Sequence, residues 1–475
     1  MGFPSTNAPT VFTAFGATGD LMRLKVIPAL FKLYEKGELP TQFSVVGFSR
    51  RDYTDAQFRE HVREALGHIE NAKDLSSFLE LFQFQRGQFN EKESYASLQK
   101  TLAAQDATWG VCANKLFYLA SSPEFFDAIL HNLAESGLTD PCDDGSGWSR
   151  VIVEKPFGVD YDSARKLDAL LGELFEEQQI YRIDHYLAKE MLQNILTFRF
   201  ANSLFELNWD KDFIERIDMR LLEEVGCEKR GASYDGVGAL RDVGQNHLLQ
   251  MIALIAMEHP QSFDAAQLRL KRAELLQALT LPSENNIRRA TFRAQYEGYR
   301  SIAGVREDSD TETYFRVLTS IDTDRWRGVP IAIESGKRLG EPVKEIVVTM
   351  RHPVPCLCPG EHHKNRIIFR MEPKEEILVE FWSRKPGLSM ETEERTFHFL
   401  LRERKAQTRY TEEYMRLLLD SIRGEQTLFI STDEIQAMWR FTDPIIAGWK
   451  KGLVPLETYP VDRKDITAAA TVRVL

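Results

Sequence analysis

The sequence predicts an α/β unit followed by an α+β unit. The first, over residues 8–190, is a Rossmann-like, doubly wound parallel sheet. The second, over 191–470, is a large, mostly antiparallel sheet with flanking helices. Three observations predict this. Short apolar runs alternate with helical periodicity in the first 190 residues, longer period-two segments follow them, and 475 residues are too many for one simple core.

Val11–Gly16 reads as a buried strand, and the stretch after Gly19 as a helix with Ile27, Leu30, Phe31 and Tyr34 on one face. Pro28 lacks an N–H and predicts a local kink there. Phe43–Ser49 is a second strand, with Lys115–Ala120 and Arg150–Glu154 as later ones. Strand, helix, strand in this order gives parallel pairing. Beyond residue 190, Phe213–Leu221, Thr313–Ile321, Glu345–Arg351 and Ile377–Trp382 alternate in hydrophobicity and predict antiparallel strands. Leu240–Met257 and Glu412–Ile422 carry helical patterns. No Gly/Ser linker separates the halves, so their junction falls in a compact connection near residues 180–200.

Composition excludes several function classes. Hydrophobic residues at 43% and charged residues at 28% suit a soluble globular protein. A net charge of -11 without a dense Lys/Arg tract argues against nucleic acid as partner. The most apolar stretch, Leu248–Met257, has about half the ~20 residues a membrane helix needs, so no membrane association is expected. The start, MGFPSTNAPT, has no secretory pattern, and five scattered cysteines suit a reduced, cytoplasmic setting.

Gly16-Ala17-Thr18-Gly19-Asp20-Leu21 lies between the first strand and its helix. Glycines there let backbone approach a pyrophosphate, and a helix amino terminus supplies N–H donors. The spelling is not GxGxxG, and alone it fits an ordinary turn equally well. The second strand ends Ser49-Arg50-Arg51 where an acidic residue would hold the ribose of NAD. Guanidinium pairs bidentately with phosphate, so NADP is favoured, with Arg50 ahead of Arg51.

Arg182–Glu190 reads RIDHYLAKE. If it is helical from Tyr186, His185 and Lys189 share a face and, with the Tyr186 hydroxyl, grip a phosphate dianion, while Asp184 can orient an imidazole. Asp242 and His247 sit five residues apart in an apolar helical run, where buried polar groups imply a network or a site. A histidine is a competent base for a hydroxyl proton near neutral pH. Cys356, Cys358, His362 and His363 cluster in a loop, but Cys-x-Cys is not a common zinc spelling, and no metal is expected.

FGATGDL (15–21), EKPFG (154–158), RIDHYLAKE, DVGQNHLLQ (242–250), DRWRGVP (324–330), SGKRL (335–339) and LLLDSIRGEQTLF (417–429) together resemble the glucose-6-phosphate dehydrogenase family. The resemblance implies a homodimer or homotetramer that oxidises D-glucose 6-phosphate at C1 with NADP. It implies His247 as general base and Asp184 as its partner carboxylate. His185, Tyr186 and Lys189 become the sugar-phosphate grip, and Glu223, Asp242 and Lys337 bind sugar hydroxyls. Lys155 contacts coenzyme and sugar beside Pro156, which the family allows to be cis. Tyr118, the glycine turn, Arg50 and Lys25 lie on the coenzyme side.

Four departures from the family pattern stand out. Glu334 and Pro342 replace basic residues, with Lys344 a near substitute for the second. Glu372 replaces a glutamine and is expected to add negative charge near an anionic ligand. Ser121 and Ser122 occupy a usual Leu-Pro position. They leave two alternatives: a related hexose-phosphate dehydrogenase using NAD or NADP, or a catalytically idle NADP-binding relative.

Overall fold

The computed structural model describes residues 8–67, 75–140, 147–352, 354–355, 364–389, 391–402 and 406–474. The chain forms two compact units. The first comprises Met1–Ala188, Phe263–Arg269 and Lys405–Ile435, and the second comprises Lys189–Ser262, Leu270–Arg404 and Gln436–Leu475. The expected extents, 8–190 and 191–470, differ from these units because 263–269 and 405–435 lie with the first.

In the first unit, β1 (Thr10–Phe15), β2 (Phe43–Ser49), β3 (Phe82–Arg86), β4 (Asn114–Leu119), β5 (Ser149–Val153) and β6 (Ile180–Ile183) pair in parallel in the order 3-2-1-4-5-6. β1 and β2 are buried along their whole lengths, which explains their unbroken apolar runs. The order reverses between β1 and β4, the switch point where ligands enter such sheets.

The second unit holds a nine-stranded sheet. Its strands are β7 (Ile214–Leu222), β8 (Thr291–Tyr296), β9 (Tyr314–Thr319), β10 (Ile331–Gly336), β11 (Val343–Met350), β12 (Arg366–Glu372), β13 (Glu375–Arg384), β14 (Thr392–Arg402) and β16 (Leu456–Tyr459). The spatial order is 14-13-12-11-7-10-9-8-16. Only the pairs β7·β10 and β8·β16 are parallel. The remaining short strand, β15 (Phe429–Ile430), pairs antiparallel with β6 in the first unit.

The helix after β1 shows how Pro28 is accommodated. The turn before it, Met22–Val26, widens to a π-helix, and α-helical geometry resumes at Ile27–Glu35 with the proline at its start. Among the described cysteines Cys227 is a free, buried thiol, whereas Cys112 is disulfide-bonded, which departs from the expectation of a wholly reduced chain. Cys356, Cys358, His362 and His363 lie outside the described residues. No helix of the described residues is long and apolar enough to cross a membrane.

Candidate active site

In the first unit the turn after β1 opens onto a cavity of about 880 Å³, lined by Gly16, Thr18, Gly19, Ser49, Arg50 and Ser121 among others. Gly16 has φ +96° and passes so close to the chain after β4 that a Cβ would stand 2.8 Å from the Ala120 carbonyl oxygen. Only glycine lets backbone through at that point. The Gly16 N–H donates to the Phe48 carbonyl at 2.9 Å, and Thr18 and Ser49 hydroxyls meet at 3.1 Å, so the ends of β1 and β2 are locked together.

The sequence places Ala17, Asp20 and Leu21 in this turn. Ala17 is buried, and Asp20 is exposed and paired with Arg23 at 3.0 Å. Arg50 lines the cavity, while Arg51 turns to the Tyr53 hydroxyl at 3.0 Å. Asp52, the nearest carboxylate, pairs with Arg86 at 3.2 Å. A glycine-lined approach and a cation at the end of β2 fit a phosphate-bearing dinucleotide.

Tyr118 requires a correction. Its ring is fully buried and its hydroxyl donates to Glu154 Oε1 at 2.6 Å, so its side chain supports the site from below and offers no surface to a ligand. Tyr414 donates to the same carboxylate oxygen at 3.1 Å. Burial pushes the Glu154 carboxyl up, with the two tyrosines and Lys155 working against that rise. Lys155 follows directly, and the Lys155–Pro156 peptide is cis.

The Arg182–Glu190 stretch also differs from the sequence reading. Residues 185–188 form a turn, and the helix Glu190–Phe200 begins only after Lys189, whose ψ of 130° is extended. Asp184 explains the delay, because its Oδ1 accepts the Tyr186 N–H at 2.9 Å and its carbonyl the Leu187 N–H at 3.0 Å. His185 and Lys189 therefore do not share a helical face. The His185 and Tyr186 rings instead stand edge to face, 5.1 Å apart. Asp184, Tyr186 and Lys189 are all buried. Arg182 of the same stretch belongs to a buried structural set with Asp168, Glu177 and Thr432.

The second unit builds the other group of expected residues. β7 and β10 run parallel with Leu222 opposite Gly336, so the next residues, Glu223 and Lys337, emerge side by side. Lys337 Nζ donates to Glu223 and stands 3.5 Å from Asp242. Arg230, which sequence reasoning missed, closes the set by pairing with Asp242 at 2.6 Å. Nothing in the local sequence marks Arg230; only the fold brings it across twelve residues to Asp242.

Asp242 and His247 lie on a π-helix, Leu240–Leu248, that continues as the buried helix Leu249–Ala256. A π turn closes from i to i+5, so residues five apart stack on one face. In an α-helix they would diverge by about 140°. Asn246 staples the wide turn: its amide donates to the Asp242 carbonyl at 3.2 Å, and its oxygen accepts the His247 N–H at 2.6 Å. His247 is buried.

The departures acquire physical meaning here. Glu334 is fully buried and accepts from Tyr314 at 2.7 Å, Arg316 at 2.9 Å and Thr467 at 2.9 Å. Lys344 lies opposite Glu372 across β11 and β12, and their charges meet at 3.0 Å. Glu372, expected to add negative charge near a ligand, thus stands beside a lysine whose charge offsets it. Ser121 and Ser122 line the first unit's cavity.

Comparison with known proteins identifies relatives of this arrangement. Residues 13–194 match the family described as Glucose-6-phosphate dehydrogenase, NAD binding domain, and 196–473 match its C-terminal domain. The chain is 38% identical over 462 residues to glucose-6-phosphate 1-dehydrogenase 2 of Mycobacterium tuberculosis, covering 94% of this chain and 89% of the relative. It is 40% identical over 447 residues to the glucose-6-phosphate 1-dehydrogenase of Aggregatibacter actinomycetemcomitans, covering 91% and 89%. Arabidopsis thaliana has a relative named cytoplasmic, 35% identical over 460 residues, covering 95% and 88%. A solved glucose-6-phosphate dehydrogenase in complex with its substrate glucose 6-phosphate superposes with a TM-score of 0.88 at 31% identity, covering 99% and 98%.

Proposed function

Because the chain belongs to the glucose-6-phosphate dehydrogenase family, we propose that it oxidises D-glucose 6-phosphate at C1 to 6-phospho-D-glucono-1,5-lactone with NADP. The observation that carries this reading is the ionic set Glu223, Lys337, Asp242 and Arg230, one π turn from His247. Such a set presents fixed acceptors and donors to a polyhydroxylic ring. The histidine on the same helical face is the base of this reading.

In this reading His247 takes the C1 hydroxyl proton as the carbonyl forms, and Asp184 holds the imidazole and stabilises its cation. His185, Tyr186 and Lys189 bind the phosphate, and Lys155 serves both sugar and coenzyme. Glu223, Asp242 and Lys337 fix the sugar hydroxyls. When bound, the coenzyme supplies the hydride acceptor. Gly16, Thr18, Gly19 and Arg50 hold it, and Arg50 favours a 2′-phosphate over a bare ribose. The same reading makes the protein a cytoplasmic homodimer or homotetramer.

Absorbance at the nicotinamide band, with NADP or NAD and a panel of hexose phosphates, tests the proposal. Reduction is expected with glucose 6-phosphate and NADP. Equal rates with NAD would make it a dual-coenzyme enzyme, and a preference for another sugar would move the substrate assignment. Silence with every sugar, despite fluorescence evidence of NADPH binding, would make it an idle relative.

A further inference from the structure

The turn that launches the Leu240–Leu248 helix is held by a segment some seventy residues away, Ser309–Thr313. The Asp235 carboxylate accepts from the Ser309 hydroxyl, from Thr311 at 2.9 Å and from Arg306 at 3.0 Å. The Gly236 N–H donates to the Thr311 hydroxyl at 2.8 Å. The Ala239 N–H donates to the Glu312 carbonyl at 3.0 Å, and the Leu240 N–H to Glu312 Oε1 at 3.0 Å. The Tyr234 hydroxyl also reaches the Glu312 carbonyl, at 3.4 Å.

Glu312 is buried and touches none of Glu223, Asp242, His247 or Lys337 by hydrogen bond. Its carboxylate occupies the space beside Gly238, where φ is +80° and a Cβ would stand 2.3 Å from Oε1. The charges around it are the cations Arg241, on the helix itself, and Arg293, on β8. The first N–H groups of a helix have no partner within it. A local cap would satisfy them but would travel with the helix. An acceptor from the segment leading into β9 instead ties the helix start to the sheet.

We propose that Glu312 is a positioning residue for the reaction: by accepting the Leu240 N–H it fixes where the helix bearing Asp242 and His247 begins. The proposal rests on the reading of those two residues as reaction machinery. A small displacement of a base is enough to matter, since misplacement by about 1 Å costs roughly 10²-fold in rate.

Steady-state kinetics of Glu312→Asp, Glu312→Gln and His247→Asn test it together, each checked for a folded far-UV spectrum. Glu312→Asp retracts the acceptor by one methylene and keeps the charge. Its kcat is expected to fall about tenfold or more, with NADPH affinity unchanged. Glu312→Gln keeps reach and an acceptor oxygen, and should hold kcat within about threefold. A folded Glu312→Asp protein with kcat within about twofold of the parent would overturn the proposal, as would loss of kcat in Glu312→Gln with Glu312→Asp intact. An active His247→Asn protein would instead sink the underlying site reading, whatever the Glu312 variants do.

Discussion

Lys344 and Glu372 show how register decides the meaning of a charge. They face each other across β11 and β12, with side chains only 11% and 27% exposed, so their charges offset each other in a largely buried setting. Glu372→Gln should therefore leave KM for the sugar phosphate unchanged and lower stability by about 1–3 kcal/mol, measured by urea unfolding. A lower KM would mean that the carboxylate opposes substrate after all. Glu312 carries the pH-dependent case. Burial pushes its carboxyl up to about 7, against the Leu240 N–H and the Arg241 and Arg293 charges. Its value in the unfolded chain is the ordinary 4.5. The stability it contributes is complete below that ordinary value and is lost as pH rises towards 7. Glutamine stays neutral throughout, so the melting temperature of Glu312→Gln relative to the parent should climb between pH 5 and 7.5 and level off above. A difference independent of pH would show that this carboxyl does not titrate high.

At the scale of elements, the π-helix is where pattern reading and structure part company most usefully. The apolar run Leu240–Met257 marks a buried helix, and Asp242 and His247 within it imply a network or a site. Their spacing of five looks wrong for a shared α-helical face, and sequence periodicity carries no signal for a widened turn. The staple that maintains it, Asn246, reads as one more polar residue. Asn246→Ala should remove both staple bonds and let the segment tighten towards α-helical winding. That would swing His247 away from the Asp242 face by about 140° at full conversion. The expected result is a fall in kcat of about tenfold or more in a protein that melts within a few degrees of the parent. Unchanged kcat would show that the surrounding packing alone maintains the π turn. The strand ends were more legible. Gly16 and Arg50 each follow a strand of the parallel sheet, where such sheets present function, whereas Glu223 and Lys337 enter only through the resemblance. Tyr118 misled because a motif position says nothing about which way its hydroxyl points.

On the scale of the molecule, both sheet types follow from hydrophobic period, yet the return of residues 405–435 to the first unit does not. Its sequence reads as a helix and a turn, and only long-range bonds reveal its place. Tyr414 reaches Glu154, Arg150 holds the Ser421 and Ile422 carbonyls, and Phe429–Ile430 pairs with β6. Such contacts span more than 240 residues and leave no local trace. One edge of the second unit's sheet raises a question of assembly. β14 is an edge strand, and Phe397 and Phe399 lie on one face of it, each more than half exposed, with Phe397 stacked on Phe381 at 4.6 Å. Charge blunts the start of this edge at Glu393, Glu394 and Arg395, and the exposed aromatic side chains that follow are the part that invites another chain. If the homo-oligomer of the proposed function forms through this face, a second copy covers Phe397 and Phe399. The double variant Phe397→Lys/Phe399→Lys places two charges on the face and gives up the Phe397–Phe381 stack. Size-exclusion chromatography with light scattering at micromolar concentration should then show a smaller species than the parent, with the far-UV spectrum unchanged. An oligomer of the parent's size would place the interface elsewhere.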